Sequence, residues 1–231
     1  MVKDMIDGLK LVKDGIDSVR AITEAIRSGR EYVARAHPEI QPDLRALVEE
    51  LGKSMGVVKR ASGILTHFRF AISADPGVAA AELRKFNDYY IQSKTELQFL
   101  QTHHDDLRTH CERIRHHAGR IGGSATRDGF AKLFALLGLK SPAREAELAG
   151  ELDQLAYGDF AIAHSVSRML QLLDDALRDV QGALGSGGAM LPENIPAAVA
   201  LLGEYGPAFE EIEDRSGALV REIRSVTTEL R

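Results

Sequence analysis

The chain is predicted to be all-α, an elongated antiparallel bundle of about seven helices with coiled-coil-like packing. Three observations predict it. Apolar residues recur at alternating spacings of three and four over most of the 231 residues, which is how helices that each bury one stripe are written. No stretch alternates apolar with polar residues between turn signals, so no strand is expected. Hydrophobic content of 44% and charged content of 27% are ordinary for a chain with a packed core, and 7 prolines leave room for long uninterrupted helices.

The first helix is expected from Val2 to about Ala36. Met5, Leu9, Val12, Ile16, Val19, Thr23, Ile26, Arg30 and Val33 keep the three–four rhythm. His37-Pro38 ends it, because the residue before a proline is pushed out of the helical region. Pro42 and Asp43 suit the first turn of a second helix, whose core face is Leu44, Leu47, Leu51, Met55, Val58, Leu65, Phe68 and Ile72. Asp75-Pro76-Gly77 is a turn.

Residues 78–121 read as one long helix, the spine of the bundle. Leu83, Phe86, Tyr90, Ser93, Leu97, Leu100, His104, Leu107, Cys111, Ile114, Ala118 and Ile121 form its seam. At 1.5 Å per residue it would run about 60 Å. Residues 1–121 are therefore expected to form a main bundle of three long antiparallel helices.

Gly119 to Gly129 reads as a linker into a second helical half, residues 122–231, packed on or continuing the first. Its expected elements are a short apolar helix at 130–139 and helices at about 142–157, 159–184, 196–203 and 207–230. Pro207 is taken to start the last of these, whose seam is Phe209, Ile212, Ser216, Leu219, Ile223, Val226 and Leu230.

The net charge is −5, unevenly spread. Residues 1–107 carry 15 Lys/Arg against 16 Asp/Glu, residues 108–144 carry 8 against 2, and residues 145–231 carry 6 against 16. A basic island therefore separates a balanced half from an acidic one. Four carboxylates, Glu210, Glu211, Glu213 and Asp214, crowd the start of the last predicted helix. They complement its dipole, and they also suggest docking onto the basic island within the same molecule.

Within the island, Phe130, Leu133, Phe134, Leu136, Leu137 and Leu139 wrap most of one short helix, so it must be buried somewhere. The plainer expectation is a plug that closes the bundle. The sharper one is a cationic apolar element, residues 119–144, that lies in an anionic membrane interface. The candidate interaction surface is Arg113, Arg115, Arg120, Arg127, Phe130, Lys132, Phe134, Leu137 and Lys140.

Five of the 8 histidines, His103, His104, His110, His116 and His117, fall within one stretch that also holds Cys111. His103, His110 and His117 are seven residues apart, about 10 Å along a helix, too far to share one metal ion. Neither Glu-x-x-His nor His-Glu-x-x-His occurs, so no metal and no cofactor are expected. The phosphate-loop, dinucleotide and nucleophile-elbow motifs are missing, and no residue is assigned a catalytic role.

The first expectation is thus a non-enzymatic interaction or scaffold protein acting through helical surfaces. The alternative is a membrane-active bundle using 119–144, and the third is a metal-dependent enzyme using the His-rich stretch 103–117. Expected partners are another protein or a second copy of the chain, with an anionic membrane surface for the alternative. No nucleic acid is expected, since the basic island holds no stacking aromatics in a recognisable module. Charges at Lys3, Asp4, Asp7 and Lys10, the lack of an 18-residue apolar run and a single cysteine favour a cytoplasmic setting.

Overall fold

The computed structural model describes residues 2–71, 94–156 and 194–230. The predicted 159–184 helix, the 78–93 part of the predicted spine and the side chains of His103 and His104 lie outside the described set. Among the described residues there are six α-helices and no strand, so the fold is an all-α multi-helix bundle.

The helices are α1 (Val2–Ala36), α2 (Gln41–Ala71), α3 (Lys94–Gly122), α4 (Arg127–Leu136), α5 (Pro142–Ala156) and α6 (Asn194–Glu229). A 3₁₀ turn at Pro38–Ile40 joins α1 to α2. Where their side chains are described, the predicted seams supply most of the buried faces, with Arg30 half-exposed. On α1 these include Leu9, Val12, Ile16, Val19, Ile26 and Val33, and on α6 they include Ile212, Leu219, Ile223, Val226 and Leu230. The polar seam residues are satisfied locally. Buried Thr23 donates its hydroxyl to the Val19 carbonyl at 2.7 Å, and buried Ser216 donates to Ile212 at 2.7 Å.

The packing order differs from the chain order. The most extensive pairing is α2 with α6, and α3 packs on α2 as well. Helix α5 lies between α4 and α1, and one hydrophobic core runs through all six helices. Helices of the second predicted half thus pack directly on those of the first.

Direction follows from the side-chain pairs. Gly52 and Gly63 of α2 lie beside Ile223 and Glu213 of α6, so those helices are antiparallel. On α1, Lys13 pairs with Glu211, Asp17 with Arg215, and Arg30 with Glu229. Ascending numbers match ascending numbers, so α1 and α6 run parallel. The carboxylates at the predicted start of the last helix therefore do not all await the basic island. Glu211 docks on α1, where hydrogen bonding from Lys13 is the main cause holding its carboxyl below the usual range.

Two predicted boundaries are corrected. Helix α6 is continuous across Pro207, where two helices were expected. A proline normally clashes with the Cβ of the residue before it and with the carbonyl four residues back. Here the preceding residue is Gly206, which has no Cβ, so the first of these clashes is absent. The second correction concerns the linker. Helix α3 runs to Gly122 and α4 begins at Arg127, so only four residues separate them. Gly123 takes the left-handed conformation, φ 82°, that ends a helix. Thr126 then caps α4 by accepting from the Gly129 N–H at 3.4 Å.

Close approach drives the far end of α4 onto α1. A Cβ added at Gly29 would lie 2.6 Å from the Leu137 carbonyl oxygen and 2.8 Å from its Cβ. In sequence Gly29 reads only as a weak point in a helix, whereas in space it is where the end of the plug rests.

Candidate functional site

The candidate surface separates into two sets. Phe130, Phe134 and Leu137 lie in the core with Leu133, while Leu136 and Leu139 pack against it half-buried. Those three aromatic and aliphatic residues are therefore not part of an outer surface. Their helix has only ten residues and is capped at its start, so its apolar girth is covered by α3, α5 and α1 instead. Arg113, Arg115, Arg120, Arg127, Lys132 and Lys140 are exposed. The basic island thus survives folding as exposed cations on α3, α4 and the turn that follows, with Arg113 and Arg120 on one side of α3 and Arg115 on another.

Two residues of the His-rich stretch, His110 and His117, tie α3 to α2. Glu50 of α2 is only 5% exposed, yet three cationic or donor groups meet it. His110 Nδ1 lies 2.7 Å from Oε2, Lys53 Nζ lies 2.6 Å from Oε1, and Arg113 Nη1 lies 3.7 Å from Oε1. A carboxylate only accepts, so the imidazole presents its Nδ1–H. One heptad earlier on α2 the arrangement repeats. Asp43 Oδ1 lies 3.3 Å from His117 Nδ1 and 3.4 Å from Arg120 Nη1. Residues 43 and 50 of α2 run against 117/120 and 110/113 of α3, which is the register of an antiparallel pair.

Burial works to raise the Glu50 pKa, but hydrogen bonds and charge from Lys53 and His110 outweigh it and hold the carboxyl below its ordinary value. A depressed carboxyl stabilises the fold above its unfolded-state pKa, and that contribution is lost as pH falls through the lower folded-state value. Glu50→Gln removes the acid-sensitive share. Melting temperatures of the native and Glu50→Gln proteins should therefore converge as pH is lowered from about 6 to about 3. A gap that stays constant or widens over that range would show that Glu50 carries no such coupling.

A second cluster sits where α5 faces α1. Arg144 bonds Glu147 at 2.7 Å, which raises the arginine's pKa, with further contributions from Glu151 and Glu24. Glu151 has its Oε2 buried with no hydrogen-bond partner. Burial is the main cause pushing its carboxyl upward, Glu147 adds to this, and Arg144 opposes it. The guanidinium of Arg127 lies over Gly150 of the same helix, 3.2 Å from where a Cβ would stand.

Sequence reasoning missed Asp43, Glu50 and Glu151 as partners of the basic stretch. A signal for the first two existed: Asp43 and Glu50 are seven apart, as are His110 and His117. Among the described residues no group of three or more His, Cys, Asp or Glu side chains is placed to hold a metal ion. Among them, too, no helix is long and apolar enough to cross a membrane. No protein-family model matches the chain, and comparison with curated proteins and with solved structures finds no match to either.

Proposed function

We propose that this chain is a non-enzymatic interaction or scaffold protein, and that it engages an acidic partner through the basic face of α3 and α4. One observation carries the reading: the cations of the island point outward from helices whose apolar residues point into the core. A face of this kind recognises its partner by charge complementarity and steers encounter, with little apolar burial.

The membrane-active alternative is less well supported by the same geometry. Interfacial helices bind through apolar area as well as charge. Here the apolar area of α4 is committed to the core, and Tyr32, on α1, is the one large apolar residue exposed among the described residues.

Titration calorimetry with poly-glutamate, alongside sedimentation with anionic and neutral vesicles, tests the proposal. Poly-glutamate is expected to bind, to weaken steeply with added salt, and to be lost when Arg115, Lys132 and Lys140 are all replaced by Gln. Absence of poly-glutamate binding would reject the basic-face reading. Tight pelleting with anionic vesicles at a salt concentration that abolishes poly-glutamate binding would favour the membrane reading instead.

A further inference from the structure

We propose that Arg113 and Arg120 form a pre-braced pair of guanidinium forks that recognises an acidic helix of a protein partner, with carboxylates seven residues apart on one face. This rests on the interaction reading above and specifies its partner.

The argument begins with the repeat. Each arginine is more than half exposed, 55% for Arg113 and 61% for Arg120, and each nevertheless has an inner carboxylate beside it. Glu50 and Asp43 belong to α2, so each fork has its ion-pair partner on a neighbouring helix rather than on its own, at 3.7 Å for Arg113 and 3.4 Å for Arg120. His110 and His117 occupy the same carboxylates and fix them in turn. Each rung thus has an inner part, which sets position, and an outer part, which faces solvent.

A guanidinium has five N–H donors in a rigid plane, and one carboxylate contact leaves most of them available. An exposed arginine ordinarily gains little from an ion pair, because ordering its long side chain offsets the attraction. Bracing from α2 removes part of that ordering cost before the partner arrives.

The spacing then selects the partner. Residues 113 and 120 are two turns apart on one face of α3, about 10.5 Å at 1.5 Å per residue. His116 lies between them, exposed, and continues the stripe. A helix laid along α3 presents carboxylates at the same interval when its acidic residues are seven apart. Fork-to-carboxylate pairing is directional, so it discriminates spacing, which a diffuse positive patch does not.

Two capped helical peptides of identical composition, about 20 residues of Ala and Gln with two Glu, separate these cases. In one the Glu residues are seven apart, and in the other nine apart, on opposite faces. The matched peptide is expected to bind about fivefold tighter or more, and Arg113→Gln with Arg120→Gln should erase the difference. The brace is tested by Asp43→Asn with Glu50→Gln, made in protein shown by its melting curve to remain folded. Those changes make the face more positive. Bulk attraction therefore predicts tighter binding of the matched peptide, whereas loss of the brace predicts binding weakened several-fold.

Equal affinity for the two peptides, or tighter binding after the brace is removed, would overturn the inference while leaving the basic-face reading intact. If neither these peptides nor poly-glutamate binds, both fall. Preference for anionic vesicles over the matched peptide, or a doubled mass in light scattering that is lost in the arginine variant, would assign the forks to lipid or to a second copy and overturn it.

Discussion

Phe134→Asp is expected to remove most folded protein from solution, or to lower its melting temperature by roughly 10 °C or more. Phe134 is 0% exposed and sits with Phe130 and Leu133 in the core shared by α3, α4 and α5. A carboxylate there has no cationic partner and no water. It must either remain charged in an apolar setting or take up a proton at a large pKa cost, and either route amounts to several kcal/mol. Total stabilities of about 5–15 kcal/mol leave little margin for such a loss. In a chain of this size each kcal/mol corresponds to about 2–4 °C. Lys132→Asp, on the exposed side of the same helix, is the control and should change the transition little. A Phe134→Asp protein that melts like the native one would mean that α4 is not held in the core, and the membrane-interface reading of 119–144 would regain its footing.

Gly122→Ala should produce the second large effect, and with a sign opposite to ordinary helix behaviour. Alanine is favoured over glycine inside a helix by about 1 kcal/mol. At Gly122, however, an added Cβ would fall 1.8 Å from the carbonyl oxygen of Gly129 and 2.4 Å from its carbonyl carbon. Both are backbone atoms of α4, so no side chain can swing aside. Relief requires α3 and α4 to separate where α4 enters the core, and overpacking of this kind costs about 1–3 kcal/mol or more. Gly56→Ala supplies the comparison. Its Cβ would meet only the end of the Arg60 side chain, at 3.7 Å. That variant should be neutral or slightly stabilised. Denaturant melts of both, read at constant m-value, decide the matter. Equal behaviour of the two alanines would contradict the close α3–α4 approach.

The two substitutions also mark what could be read in advance. The apolar composition of 130–139 announced that this helix needs cover, because no arrangement leaves such a girth in water at low cost. It did not announce which helices supply the cover. Gly122 lay inside a glycine-rich stretch that reads equally well as a flexible linker. Only the proximity of Gly129 makes it a contact, and proximity between two helices leaves no periodic trace. Pro207 shows the converse failure. A proline is a strong local signal for a boundary, yet the helix runs through Pro207, where the glycine at 206 removes one of the two clashes that would end it.

Asp43, Glu50, His110 and His117 divide the same way. The seven-residue spacing of each pair is visible in the sequence and places each pair on one helical face. That the two faces meet depends on α2 and α3 packing antiparallel, with partners 60 and 74 residues apart along the chain.

Helical periodicity is a local property, repeated every three or four residues, so the sequence by itself determined that the fold is all-α and which side of α1 and of the last part of α6 is buried. It carried the charge segregation too, since that is only arithmetic along the chain. The tertiary structure alone decided which buried stripe meets which. It set α6 against α2 and parallel to α1 through pairs 198 and 199 residues apart, turned the apolar part of the island inward, and placed a carboxylate behind each of two surface arginines. The physical reason is that apolar stripes attract one another without direction. Their partners are chosen by shape, by glycine-permitted approach and by charges that become neighbours only after folding.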